Sequence, residues 1–274
     1  MIVPNPARAG DPGMRITLPL MQSDGIRNYR LFAPATLPTG KAVPLLIVLH
    51  SLGHGINEIE QDSGFDSLAA ARGFAVAYPV GLGQAWNAGV CCTLDPRGTM
   101  PNVDDVSFLA DVITSVSSLV HIDKHAVFMA GFSNGAMMAM RFACERPEQV
   151  AGIVSIAGTL ESPCSATAAI RVLQLHGERD TTVPYDGTRY SPFAHAPLAS
   201  IPASLGVFAR IDSCRGMRRS STQAADFSAY AGCRPGGSVE LVTIKRLGHV
   251  WPTTTNSGFD TSAAVWAFMH AAAS

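Results

Sequence analysis

Residues 126–135 read AVFMAGFSNG. The apolar run 126–130 (AVFMA) leads into Gly131-Phe132-Ser133-Asn134-Gly135, and an Ala- and Met-rich helical pattern follows over 134–146. A strand, a tight turn and a helix in that order give G-x-S-x-G its meaning. The glycines permit a sharp turn with close backbone packing. The serine is then held at the tip, where the start of the helix favours the negative charge that develops in acyl transfer. The five letters alone also arise by chance in Gly-rich chains, so the flanking elements carry the reading.

Further short apolar runs lie on either side, at 44–49 (PLLIVL), 74–78 (FAVAY), 150–156 (VAGIVSI), 170–175 (IRVLQL) and 239–244 (VELVTI). Such runs fit strands covered on both faces of a mostly parallel sheet. Residues 14–33 read as two further strands joined by a turn containing Asp24-Gly25. Residues 104–120 set Val106, Leu109, Val112, Ile113 and Val116 on one side of a helix, with Asp104 and Asp105 at its start. The last helix is expected over about 261–273. Strands alternating with helices predict an α/β protein with helices on both faces of the sheet. One domain over 1–274 is expected, with the Pro-, Ser- and Gly-rich stretch 181–235 as an irregular insertion or cap.

Composition narrows the function classes. Of 274 residues, 47% are hydrophobic and 15% charged, which excludes a disordered chain. No apolar run approaches the length of a membrane-spanning helix. A net charge of -1 argues against a globally basic nucleic-acid binder. The six cysteines include no C-x-x-C pair, so zinc-ribbon or thioredoxin chemistry has little support. Their even number permits three disulfides, and the adjacent Cys91 and Cys92 could pair with each other or elsewhere. The opening MIVPNPARAG shows no signal-peptide pattern, which fits a secreted protein without its leader as well as a cytoplasmic one.

A serine hydroxyl needs a base, and the base an orienting carboxylate. In this architecture they follow in the order Ser, Asp or Glu, His. Asp180 lies just beyond the run ending at Leu175, with Glu178 and Asp186 as alternatives. His249 follows the last predicted strand. His195 sits in the irregular stretch and His270 inside a helix, which leaves Ser133, Asp180 and His249 as the expected triad. The oxyanion donors are expected to be the backbone N–H of Asn134 and, from the loop 49–55 (LHSLGHG), that of Leu52, with Ser51 as runner-up. His50 and His54 have H-x-x-x-H spacing, but Gly53 and Gly55 oppose a helix there, so neither a metal nor a cofactor is expected.

From about residue 26 to 270 the chain resembles the polyhydroxybutyrate depolymerase-like esterases, α/β-hydrolases that include feruloyl and acetylxylan esterases. The matching pieces are the histidine loop at 49–53, Trp86-Asn87-Ala88-Gly89 with Cys91-Cys92, and Val103-Asp104-Asp105-Val106. They continue with 131–135, His176-Gly177 with Asp180 and Val183-Pro184-Tyr185, and Gly248-His249-Val250-Trp251-Pro252. The usual His-Gly of the oxyanion loop is His50-Ser51 here. The resemblance implies the same triad and a Cys214–Cys233 disulfide; Cys144 with Cys164 is the further pairing expected, and a set of disulfides fits a secreted or periplasmic protein. It implies a polymeric substrate, whether a polyester, a feruloyl or acetyl ester of a plant polymer, or poly(aspartic acid).

Trp86 and Trp251 are candidate apolar walls beside the serine. Charge is segregated along the chain: residues 206–250 hold seven Arg or Lys against three acids, while 51–123 hold nine acids and two arginines. With Arg179 and Arg246 close to the triad in sequence, an Arg-rich rim that binds a polyanionic amide such as poly(aspartic acid) is the alternative. A non-catalytic ligand-binding relative and a peptidase of the same fold are further readings.

Overall fold

The computed structural model of the chain describes residues 13–92 and 103–271. A hairpin opens it, β1 (Gly13–Gln22) and β2 (Gly25–Pro34), paired antiparallel from Gly13↔Pro34 to Gln22↔Gly25 around the two-residue turn Ser23-Asp24. Then come β3 (Val43–Leu49), helices α1 (Ile56–Ser63) and α2 (Phe65–Arg72), and β4 (Ala75–Pro79). Helix α3 (Asp105–Leu119) is capped by the Asp104 side chain, which accepts from the Ser107 N–H at 2.9 Å. Next are β5 (Ile122–Phe132), α4 (Asn134–Glu145), β6 (Gly152–Ile156) and β7 (Arg171–Gly177). The remainder comprises β8 (Thr188–Ser191), β9 (Ala196–Leu198), α5 (Ile201–Ile211), β10 (Gly216–Ser221), β11 (Ala225–Ala231), β12 (Ser238–Ile244), α6 (Thr254–Ser257) and α7 (Thr261–His270).

Among the described residues, ten strands form one sheet in the order β1-β2-β4-β3-β5-β6-β7-β12-β11-β10. The six from β4 to β12 run parallel, and the antiparallel pairs β1/β2 and β11/β10 close the two ends. Apolar side chains of α3, α4 and α5 pack on one face, and those of α1, α2 and α7 on the other. This double cover explains why β3, β4 and the end of β5 read as unbroken apolar runs rather than as an alternation.

Every strand expected from an apolar run is present. The stretch 181–235 holds a small β8/β9 ribbon, then α5, then β10 and β11, which continue the main sheet beyond β12. Strand β10 lacks the sequence signature of a buried strand. All six residues of β10 (GMRRSS) are exposed, so no apolar alternation marks it.

Three disulfides tie the fold: Cys144–Cys164, Cys214–Cys233 and the adjacent pair Cys91–Cys92. The first joins the last turn of α4 to the loop after β6. The second joins the loop after α5 to the loop after β11, across the base of the β10/β11 pair.

Candidate active site

The chain turns at Ser133, between β5 and α4, with φ 55° and ψ -117°, a conformation that costs a non-glycine residue about 1–3 kcal/mol. Its surroundings hold it there. Its N–H donates to the Ile156 carbonyl at 2.8 Å, and its carbonyl accepts from Met137 N–H at 3.0 Å. The flanking glycines are sterically required. A Cβ on Gly131 would lie 2.3 Å from the Gly135 backbone, and one on Gly135 would lie 2.5 Å from the carbonyl oxygens of Leu49 and His50.

Loops after three different strands meet here. Ser133 Oγ is 2.9 Å from His249 Nε2, and His249 Nδ1 is 2.7 Å from Asp180 Oδ2. The other Asp180 oxygen accepts from the N–H groups of Thr182 (2.9 Å) and Val183 (2.8 Å), so the carboxylate is fixed at both ends. The buried His176 donates from Nε2 to the Val183 carbonyl at 2.9 Å, and burial pushes its pKa down, which leaves it a neutral support beneath the Asp180 loop. Phe132 stacks on the His249 ring at 5.1 Å. The structure therefore brings Ser133, Asp180 and His249 into one hydrogen-bonded chain. Glu178, the alternative acid, is exposed and instead accepts from the Arg246 N–H.

Beside Ser133 is a cavity of about 270 Å³ lined by Ser51, Leu52, His54, Cys92, Phe132, Asn134, Thr182, Phe193 and His249 as well as the serine itself. Among the described residues the N–H groups of Leu52 and Asn134 have no hydrogen-bond acceptor. A helix start leaves its first N–H groups without internal partners, which accounts for Asn134. Its side chain is occupied elsewhere, accepting from Trp86 N–H at 2.7 Å and donating to the Trp86 carbonyl at 2.9 Å. Leu52 lies in a turn anchored by the fully buried His50. The His50 Nδ1–H donates to Ser51 O at 2.8 Å, and its Nε2 accepts from Gly81 N–H at 2.9 Å. Burial holds the His50 pKa down at about 4, so this ring is neutral.

Several expected contacts are corrected. Trp86 is not a wall of the cavity. It is fully buried between His50 (4.9 Å) and Phe108 (6.5 Å), and its indole N–H donates to the His50 carbonyl. Trp251 is also buried and packs edge-on against Phe132 and Phe65, behind the His249 platform. Arg179 and Arg246 are exposed, and neither lines the cavity beside Ser133. Arg246 faces a separate polar recess with Lys245, Thr255 and Ser257.

None of the seven Arg or Lys of residues 206–250 lines the cavity beside Ser133. Arg218 and Arg219 sit on β10, five strands from β5 and two from β12 in the sheet order. Lys245 pairs with Asp226 at 3.1 Å. Thr182, Phe193, Cys92 and His54 were not singled out as cavity residues from the sequence. They come from separate loops, where no periodicity reports what a side chain faces.

The doubly covered parallel sheet and the sharp strand–serine–helix turn define an α/β-hydrolase. A model of the phospholipase/carboxylesterase family matches residues 98–195. The chain is 33% identical over 253 residues to NocK of Nocardia uniformis subsp. tsuyamanensis, a protein named as an esterase; the match covers 84% of this chain and 72% of that one. Feruloyl esterase B of Piromyces equi is 28% identical over 228 residues, covering 79% of this chain and 41% of its own length. The fold matches the acetyl xylan esterase from Aspergillus awamori with a TM-score of 0.68 at 15% identity, over 93% of this chain and 99% of that one. The chain belongs to the same family as the esterase NocK, and is an esterase-type hydrolase related to feruloyl and acetylxylan esterases.

Proposed function

We propose that the chain is a secreted carboxylic ester hydrolase that works through an acyl-enzyme on Ser133, as one catalytic domain, on esters borne by a polymer. The observation that carries this reading is the hydrogen-bonded chain Ser133–His249–Asp180 opening on a cavity with largely apolar walls. In this mechanism His249 Nε2 takes the hydroxyl proton as Ser133 Oγ attacks the ester carbonyl. Asp180 holds the Nδ1–H tautomer and stabilises the imidazolium that forms. The N–H groups of Leu52 and Asn134 receive the oxyanion, each such donor contributing about 3–4 kcal/mol in the transition state. The imidazolium then protonates the departing alcohol, and water, activated by the same ring, releases the acid.

Secretion is supported by three disulfides, which persist in oxidising compartments. A polymeric ester is supported by the relatives' names, which include acetylxylan esterases. The experiment compares wild type with Ser133→Ala on short p-nitrophenyl esters, polyhydroxybutyrate, feruloylated xylan and poly(aspartate). Ester cleavage should fall roughly 10⁴–10⁶-fold in the variant. Turnover near the wild-type rate would refute the assignment, and Ser133-dependent cleavage of poly(aspartate) alone would replace the ester with an amide.

A further inference from the structure

We propose that His54 is a positioning residue, and that a side-chain clasp between Ser51 and His54 sets the direction of the Leu52 N–H. The inference rests on the oxyanion role given to Leu52 above. Residues 51–54 form a four-residue turn, in which His54 N–H donates to the Ser51 carbonyl at 3.2 Å. Gly53, the third residue, has φ 76°, as a type II turn requires of that position. Its N–H donates outward to Gln84 O at 2.8 Å. The side chains of the same two end residues close the turn a second time, with Ser51 Oγ 2.5 Å from His54 Nδ1.

This double closure fixes the plane of the Ser51–Leu52 peptide, and that plane decides where the Leu52 N–H points. A rotation of a few tens of degrees would swing the N–H off an oxyanion, because hydrogen bonds weaken steeply away from linearity. The His50 ring holds the turn from its buried end, through the Ser51 carbonyl. The clasp holds it from the open end, where His54 is exposed and faces the same cavity as Ser133 and His249. The clasp exists because residue 51 carries a hydroxyl. A glycine there has nothing with which to reach residue 54.

Exposure separates this role from a structural one. Truncating an exposed imidazole opens no interior cavity, so the fold should survive His54→Ala intact. The predicted loss is in transition-state binding. The test measures kcat, KM and the inhibition constant of a trifluoromethyl ketone, which forms a tetrahedral adduct with the serine, for wild type, Ser51→Ala, His54→Ala and His54→Asn. The asparagine carbonyl can accept the Ser51 hydroxyl's hydrogen bond in place of Nδ1.

The alanine variants should lose about 10-fold or more in kcat, with KM within about twofold. The inhibition constant should rise in parallel with the loss in kcat/KM, the melting temperature should stay unchanged, and His54→Asn should recover part of the loss. Alanine variants within twofold of wild type in kcat and in ketone affinity would overturn the proposal. So would a loss confined to KM, or an asparagine variant no better than alanine. If His54→Ala is normal while Ser133→Ala is inert, the clasp alone is wrong. Turnover that survives Ser133→Ala removes the reading beneath it.

Discussion

The acid stability of the protein should be governed in part by His50, a ring that performs no proton transfer. It is fully buried against Trp86, and both of its nitrogens are committed: Nδ1–H to the Ser51 carbonyl and Nε2 to the Gly81 N–H. Protonation would aim a new N–H at an existing one in a site without solvent. Burial accordingly holds the pKa at about 4, against about 6.5 for a free imidazole. The unfolded chain takes up its proton as pH falls through the ordinary value, whereas the folded chain does so only near the depressed one. In between, the unfolded state binds more protons, so folding stability drops as the pH is lowered. The contribution is complete above about pH 6.5 and is lost on acidification toward about pH 4, in total about 3 kcal/mol at 1.36 kcal/mol per pH unit.

Other buried groups act in the opposite sense. Burial raises the pKa of Asp105, Glu161 and Asp212, which resists acid unfolding, so the His50 contribution must be read by difference. His50→Gln keeps an acceptor for the Gly81 N–H and does not titrate. Urea unfolding of both proteins should be followed between about pH 7.5 and about pH 4. The variant starts less stable, and the gap should shrink by about 3 kcal/mol across that range. Parallel stability curves would refute the reasoning, because they would mean that His50 titrates alike in both states.

Three further outcomes are expected. Asp180→Asn leaves the buried loop in place but removes the charge that supports the imidazolium, and kcat should fall by about 10³–10⁴-fold with little change in KM. Asp105→Ala should destabilise the fold by about 3–5 kcal/mol in chemical denaturation, because it strands the buried Arg27 guanidinium that Asp105 meets at 2.5 Å and also frees the Asn87 N–H. Gly135→Ala drives a Cβ to 2.5 Å from two carbonyl oxygens at the end of β3, and should cost about 1–3 kcal/mol along with most esterase activity. Wild-type turnover in this last variant would show that the turn at Ser133 tolerates a shift.

The elements around the site were legible because their patterns are local. Strands buried on both faces must be apolar throughout, and β3, β4 and the end of β5 are. A helix start attracts acids, and Asp104 caps α3. Strand β10 carries no such pattern because an exposed edge places no apolar demand on its residues. Trp86 and Trp251 shared a residue type and a nearby motif, yet both lie in the packed interior, since sequence carries no signal for which face of a loop turns inward.

The order of strands and helices, and the residue types able to perform acyl transfer, were determined by sequence alone, because periodicity and turn chemistry are set between near neighbours in the chain. Only the tertiary structure decided that His249 reaches across 116 residues to Ser133 and across 69 to Asp180. It also decided that Phe193, Thr182 and His54 share a cavity with them, and that the arginines of β10 do not line it. These facts depend on strand order and loop packing. Contacts between segments far apart in the chain fix both, and no local pattern records them.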